Sequence, residues 1–268
     1  RALAVWFEVS LEEQLCRVCE YGFYFNYKVK KLLQNPQLNP NYQDKLNKTP
    51  LYIACKNGHI GIVKLLLNDE RVDVNKANND SHTPFYIACC YGYIEIVKLF
   101  LNNNKLDVNK SMNELTPFYI ACRNERIEIV ELLLNDSRVN INKCDKDGWS
   151  PFYLACFHKE IDIVKLLLND KRINVNQTNI NNKTSLWLAC EKGHIGIVKL
   201  LLNDERVDVN KAANDEVTPF YIACQEGHIE IVKLLLNDEK IDINKTNKSG
   251  KTPLYIACKK GHLEIVKL

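Results

Sequence analysis

The side chains of this sequence that are best suited to chemistry are its cysteines and histidines. The chain holds 11 cysteines and six histidines in 268 residues, and these side chains are common zinc ligands, nucleophiles and bases. Seven cysteines directly follow an alanine, at Cys55, Cys89, Cys122, Cys156, Cys190, Cys224 and Cys258. Four histidines directly follow a glycine, at His59, His194, His228 and His262. These residue types would permit disulfides, a zinc site or thiol catalysis.

The regular spacing of these residues argues against all three. Equivalent side chains of successive packed helices lie about 8–10 Å apart, whereas a disulfide joins Cα atoms about 4.4–6.8 Å apart and zinc bonds are about 2 Å long. The spacing therefore predicts reduced core thiols and structural histidines in loops. Cys16 and Cys19 have the spacing of a redox or zinc motif, but no second ligand pair follows them.

Sequence motifs for catalysis are also missing. The chain has no glycine-rich nucleotide loop, no zinc-protease helix and no serine-hydrolase elbow. An active site needs a unique set of side chains, while a repeated position supplies the same group many times. We therefore predict no catalytic residue, no metal and no cofactor.

A sequence repeat of about 34 residues must position these side chains. Each copy opens with a Thr-Pro pair or a close variant, in which the hydroxyl caps a helix and proline occupies its first turn. A glycine such as Gly58 then ends this first helix in the left-handed conformation. The second helix, residues 60–68 in one copy, is apolar on most of its circumference and needs cover from neighbouring copies. The copies begin near residues 49, 83, 116, 150, 184, 218 and 252.

This pattern closely resembles the ankyrin repeat, whose signature begins Thr-Pro-Leu-His-x-Ala. The resemblance covers residues 49–268, with the last copy truncated, while residues 13–48 look like a divergent first repeat and residues 1–12 form an N-terminal extension. It implies an all-α fold, namely a solenoid of helix–turn–helix units with short β-turn or hairpin tips. The chain departs from the signature at its fourth position, where tyrosine, or tryptophan at Trp187, replaces histidine. We therefore expect the packing of that position, but not the family's Thr–His hydrogen bond.

The resemblance implies a scaffold or adaptor that binds a protein partner on its concave face, and not an enzyme. The net charge of +3 is small for a nucleic-acid binder, and no apolar run is long enough for a membrane span. Reduced thiols favour an intracellular, cytoplasmic location, and we expect a monomer. Two alternatives stay open: the array is the regulatory or targeting arm of a larger enzyme, channel or effector, or its basic repeats bind nucleic acid.

The resemblance also indicates where a partner would bind. In this family the turn tip before Thr-Pro and the two residues after the Ala-Cys position vary, and both lie along the concave side. In this chain those places are lysine-rich in the outer copies and apolar or aromatic in the middle copies, and exposed apolar patches often mark interaction sites. The predicted partner-binding residues are Tyr91, Leu115, Arg123, Trp149, Phe157, His158 and Ile180. The competing interpretation is that the aromatic residues only pack against neighbouring tips.

The middle copies also lose the glycine that ends the first helix. Glu125 and Lys159 stand in its place, which we expect to cost about 1 kcal/mol at each site if the left-handed conformation is kept. The resemblance further implies that turn asparagines such as Asn75 and Asn210 are candidates for hydroxylation, as in some family members.

Overall fold

The computed structural model describes residues 9–22, 25–110 and 114–268. These residues form sixteen helices and no β-strand. In chain order the helices are α1 Leu11–Tyr21, α2 Asn26–Leu33, α3 Pro50–Lys56, α4 Ile60–Leu67, α5 Pro84–Tyr91, α6 Ile94–Leu101, α7 Pro117–Arg123, α8 Ile127–Leu134, α9 Pro151–His158, α10 Ile161–Asn169, α11 Ser185–Lys192, α12 Ile195–Leu202, α13 Pro219–Glu226, α14 Ile229–Leu236, α15 Pro253–Lys260 and α16 Leu263–Val266. The helix pairs joined by turns confirm the predicted helix–turn–helix fold.

The chain divides into two compact units, Arg1–Asn140 and Ile141–Leu268. The first contains α1 to α8 and the second α9 to α16. Most of the predicted N-terminal extension, residues 1–12, lies outside the described residues, and helix α1 begins at Leu11. The repeat boundaries themselves remain a prediction.

The first helix of each predicted copy begins with the expected cap. In α5 the Thr83 hydroxyl oxygen accepts a hydrogen bond of 3.0 Å from the backbone N–H of Tyr86, and Pro84 fills the first turn. Such a bond satisfies a backbone donor that the helix leaves free. The same cap occurs at Thr49, Thr116, Ser150, Thr184, Thr218 and Thr252.

Left-handed residues end these first helices whether or not they are glycine. Gly92 has a φ of 84°, while Glu125 and Lys159 have φ values of 57° and 63°. The turn after the helix therefore needs this conformation at every copy, and the two side chains adopt it at a cost that glycine avoids. The middle copies thus keep the left-handed conformation without glycine, and its energetic cost stays a prediction.

The core of each unit consists of apolar faces that neighbouring pairs cover. In the second unit α11 packs on α13 and α13 packs on α15, and Phe220 of α13 is only 6% exposed. The equivalent residue of the last pair, Leu254, is 57% exposed, because no described helix packs on that side of α15. Cys258 is exposed for the same reason, so the prediction of a core thiol is wrong at this position.

Asparagine side chains connect the turns of successive copies. Asn176 Nδ2 donates to the Arg206 carbonyl oxygen at 2.7 Å, and its Oδ1 accepts from the Asp208 backbone N–H at 2.8 Å. Asn75 makes the same two bonds in the first unit, to Lys105 and Asp107. Each side-chain amide thus satisfies one donor and one acceptor of the next turn, which fixes the register of the stack.

Three of the tyrosines that replace the signature histidine, Tyr52, Tyr153 and Tyr221, bind the following turn tip. The Tyr221 hydroxyl oxygen accepts from Asn247 Nδ2 at 3.1 Å, and Tyr153 accepts from Asn179 Nδ2 at 3.4 Å. Trp187 Nε1 donates to the Val217 carbonyl oxygen at 2.9 Å. The fourth signature position therefore keeps a structural role with a different hydrogen bond.

Replacing Gly193 by alanine tests whether the helix-ending glycine also makes room for the next copy. Gly193 and Gly261 both have positive φ, 71° and 78°. A Cβ at Gly193 would lie 2.8 Å from His228 Cε1, whereas one at Gly261 meets nothing within 4 Å. We expect Gly261→Ala to lower the free energy of unfolding by about 1–2 kcal/mol through backbone strain alone, and Gly193→Ala to lower it further.

Urea denaturation followed by circular dichroism measures both variants. Equal losses for the two would show that the contact with the His228 ring contributes nothing, and that only the backbone conformation matters.

Candidate functional site

Trp149 and Phe157 form the centre of an aromatic cluster in the second unit. Trp149 closes a turn tip, and its backbone N–H donates to Asp145 Oδ1 at 2.9 Å. Its ring centroid lies 4.9 Å from that of Phe157, at the end of α9, and 5.2 Å from that of Tyr153. Trp149 and Phe157 are both half-buried, so each ring is held by protein on one side and meets solvent on the other.

Two further predicted residues lie around this cluster. Ile180 is 65% exposed on the next turn tip, and its backbone N–H donates to the Asp147 carbonyl oxygen at 3.2 Å. His158 is exposed, with its ring edge-on to Phe157 at 5.0 Å. We call Trp149, Phe157 and Ile180 the aromatic patch. The backbone bond between Ile180 and Asp147 joins the two neighbouring tips, while the side chains of the aromatic patch remain accessible.

The other three predicted residues belong to the first unit. Tyr91 is 46% exposed and its ring stacks on that of Tyr93 at 6.0 Å. Arg123 is exposed at the end of α7, and Leu115 is half-buried at the tip before Thr116. They lie on turn tips and first-helix ends, the places where the repeats differ from one another.

A groove of about 590 Å³ lies between the turn tips and the first helices of the second unit, and its lining includes three acidic side chains and one lysine. Its one lysine, Lys183, is engaged within the protein, because its Nζ lies 3.1 Å from Glu191 Oε1 and 3.8 Å above the Trp187 ring. Asp215 and Glu226 line the same groove and are exposed. The groove therefore offers carboxylates and the edge of an apolar surface to a ligand.

The regularly spaced histidines are used by the fold. His194 Nδ1 lies 3.1 Å from the Cys156 carbonyl oxygen, and His228 Nε2 lies 3.1 Å from that of Glu191. A ring N–H donates in each case, since a carbonyl oxygen only accepts. In the first unit Arg126 takes over this position and donates from Nε to the Cys90 carbonyl oxygen at 3.3 Å. In these copies the residue before the second helix bonds to the preceding first helix, which supports the predicted structural role of the histidines.

The buried cysteines are poor nucleophiles. Burial raises the pKa of Cys156 and of Cys224 to about 12, and it raises the pKa of Cys89 well above its ordinary value. Since the thiolate is the reactive form, these groups stay protonated and inert at neutral pH. Across the described ranges no group of three or more histidine, cysteine or acidic side chains is arranged to hold a metal ion.

Stacked helix pairs with a repeated core and variable tips define a helical repeat protein. The family described as "Ankyrin repeats (3 copies)" matches residues 15–112, 104–179 and 186–268, and the chain belongs to this family. Ankyrin repeats are generally protein–protein interaction modules, and proteins built from them are typically not enzymes. None of the curated proteins matches the chain. Of the helices in the part of the chain that the structure describes, none has the length and apolar character to cross a bilayer.

The buried His194 ring predicts a pH dependence of stability. Burial lowers the pKa of His194 from the ordinary value of 6.5. The hydrogen bond to the Cys156 carbonyl oxygen raises the pKa in part, while the positive charges of Lys159 and Lys192 lower it further. His194 therefore takes up a proton at a higher pH in the unfolded chain than in the folded chain. The free energy of unfolding keeps the full contribution of the neutral ring above about pH 6.5 and decreases as the pH falls below that value. His194→Gln, which retains a donor but does not titrate, should reduce this slope.

The measurement is the free energy of unfolding between about pH 5.5 and pH 7.5. An unchanged slope in the His194→Gln variant would show that another group controls stability in this range.

Proposed function

We propose that the protein is a scaffold or adaptor module that binds a protein partner across its turn tips and first-helix ends. The observation that carries this proposal is the aromatic patch, in which Trp149 and Phe157 touch at 4.9 Å while Ile180 stands 65% exposed beside them. Accessible apolar residues grouped in this way mark interaction sites, and tryptophan is among the side chains most often found as a binding hot spot.

The patch is also pre-organised for binding. The Trp149 backbone is fixed by Asp145, and its ring already packs on Tyr153 and Phe157. A partner therefore removes apolar surface from water without having to order these side chains first, which limits the entropic cost of association. In the first unit we assign Tyr91, Leu115 and Arg123 to the same binding function.

The charge of the copy beginning near residue 218 favours a protein over a nucleic acid as the ligand at that place. Asp215, Glu216 and Glu226 are exposed on the tip and first helix next to the aromatic patch. A phosphate backbone would be repelled there, whereas proteins offer both apolar and basic side chains. The free cysteines support a reducing, cytoplasmic location, and we propose that the module acts there as a monomer.

Removing the two aromatic anchors tests the function. Trp149→Ala with Phe157→Ala should weaken binding by about 2 kcal/mol or more, which is about 30-fold in affinity. The partners are obtained by affinity capture from cell extract with the full chain, and their affinities for the purified variants are then measured by titration calorimetry.

A matched control removes apolar surface elsewhere in the same unit. Leu236 on α14 is partly exposed, and Leu236→Ala should leave affinity unchanged. All variants should keep the circular dichroism spectrum of the parent chain. Partners that bind the Trp149/Phe157 double variant as tightly as the parent chain would refute the assignment of the patch.

A further inference from the structure

The variable positions of the second unit change in chemical character from one copy to the next. The aromatic patch occupies the tip and first helix of the copy beginning near residue 150, together with the next tip. The copy beginning near residue 218 places Asp215 and Glu216 on its tip and Glu226 on its helix, and all three are exposed. We call these three residues the acidic zone.

The last copy reverses the sign of the charge. Lys248 stands on its tip, and Lys259 and Lys260 stand at the end of α15, all of them exposed. The variable positions of this copy contain no acidic residue. We call these three lysines the basic zone, so that the order along the second unit is apolar, acidic and basic.

The three zones belong to one series of linked tips. Ile180 N–H donates to the Asp147 carbonyl oxygen at 3.2 Å, Asn214 N–H to that of Asn181 at 3.2 Å, and Lys248 N–H to that of Asp215 at 2.9 Å. Each tip is thus held against the next by a backbone hydrogen bond. Packed first helices lie about 8–10 Å apart. The acidic and basic zones are one such spacing apart, whereas α11 lies between Phe157 on α9 and Glu226 on α13, which are therefore two spacings apart.

The charges of the acidic zone are available to a ligand. Lys183, the one basic residue that lines the groove, is already paired with Glu191 and lies over Trp187. Glu226 accepts a hydrogen bond of 2.9 Å from a neutral donor, Gln225 Nε2. A cation entering the groove therefore meets carboxylates that are not neutralised by the wall.

Resting on the proposed function, we propose that the second unit binds an extended peptide segment that presents a large apolar residue, then basic residues, then acidic residues. An extended chain advances about 3.3 Å per residue, so one copy corresponds to about three ligand residues. The basic residues should follow the apolar residue at about three to six positions, and the acidic residues about three positions further. The apolar contact supplies most of the affinity, while the charges set the register and exclude ligands of the wrong sign.

Selection from a displayed library of random peptides tests this order. Peptides of about twelve residues are long enough to cover the three zones at about three residues per copy. On the full chain we expect enrichment of sequences with a large apolar residue and a basic pair about three to six positions apart. The chain direction is read from the selected sequences.

A charge-reversed chain provides the decisive comparison. In the variant Asp215→Lys, Glu216→Lys and Glu226→Lys, the enriched peptides should carry acidic residues where the parent selects basic ones. Peptides selected on the parent should bind this variant at least about tenfold more weakly at low salt.

The matched control makes the same change of net charge in the turns after the second helices. Glu70, Glu205 and Glu239 are exposed there, and reversing all three should leave the selected motif and its affinity unchanged. If this control changes the motif as strongly as the first variant does, the effect is one of net charge, and the proposed order is wrong.

The outcomes separate this inference from the proposed function. If selected peptides carry an apolar residue and require Trp149 and Phe157, but their basic residues persist on the charge-reversed chain, the binding function stands and the charge order fails. If peptides bind equally well to the Trp149→Ala and Phe157→Ala double variant, the proposed function fails as well.

Discussion

The whole structure depends on one constraint, which is that no helix pair can bury its own apolar surface. Phe220 is nearly inaccessible because the following pair lies over it, whereas the equivalent Leu254 is 57% exposed where no described helix does so. Burial of apolar surface is worth about 25 cal/mol per Å², so the cover given by a neighbour is a large part of the stability of each pair. Any residue that sets the distance or the register between pairs therefore affects the core of both.

Polar side chains set that register by joining one copy to the next. Asn176 bonds to two backbone groups of the next turn, and His194 reaches the carbonyl oxygen of Cys156 in the preceding first helix. Equivalent asparagine and histidine side chains recur in most copies, so we assign them to the packing between copies. The positions where copies differ are free of this role, and Trp149 and Phe157, the proposed binding residues, occupy such positions.

The sequence was sufficient to predict the features that arise within one copy. Helix caps such as Thr83 and left-handed ends such as Lys159 depend on nearby residues, so a local pattern reveals them. The hydrogen bonds between copies were harder to predict. For example, Arg206 pairs with Asp204 of its own copy and donates to the Leu168 carbonyl oxygen of the preceding copy at 2.7 Å. The repeated Asp-x-Arg triplet was a usable signal, but its acceptor lies 38 residues away and follows only from the stacking geometry.

The residue types of the aromatic patch could be predicted from the sequence, but their environment could not. Composition indicated that Trp149, Phe157 and Ile180 are unusual among the copies, yet their accessible area depends on how the tips join. Lys159, two residues after Phe157, holds a left-handed conformation that we expect to cost about 1 kcal/mol relative to glycine. The shared core tolerates such a local loss, because its stability comes from several copies together. A stacked array can therefore carry residues that lower its stability at the variable positions and still keep those positions in a folded, ordered surface.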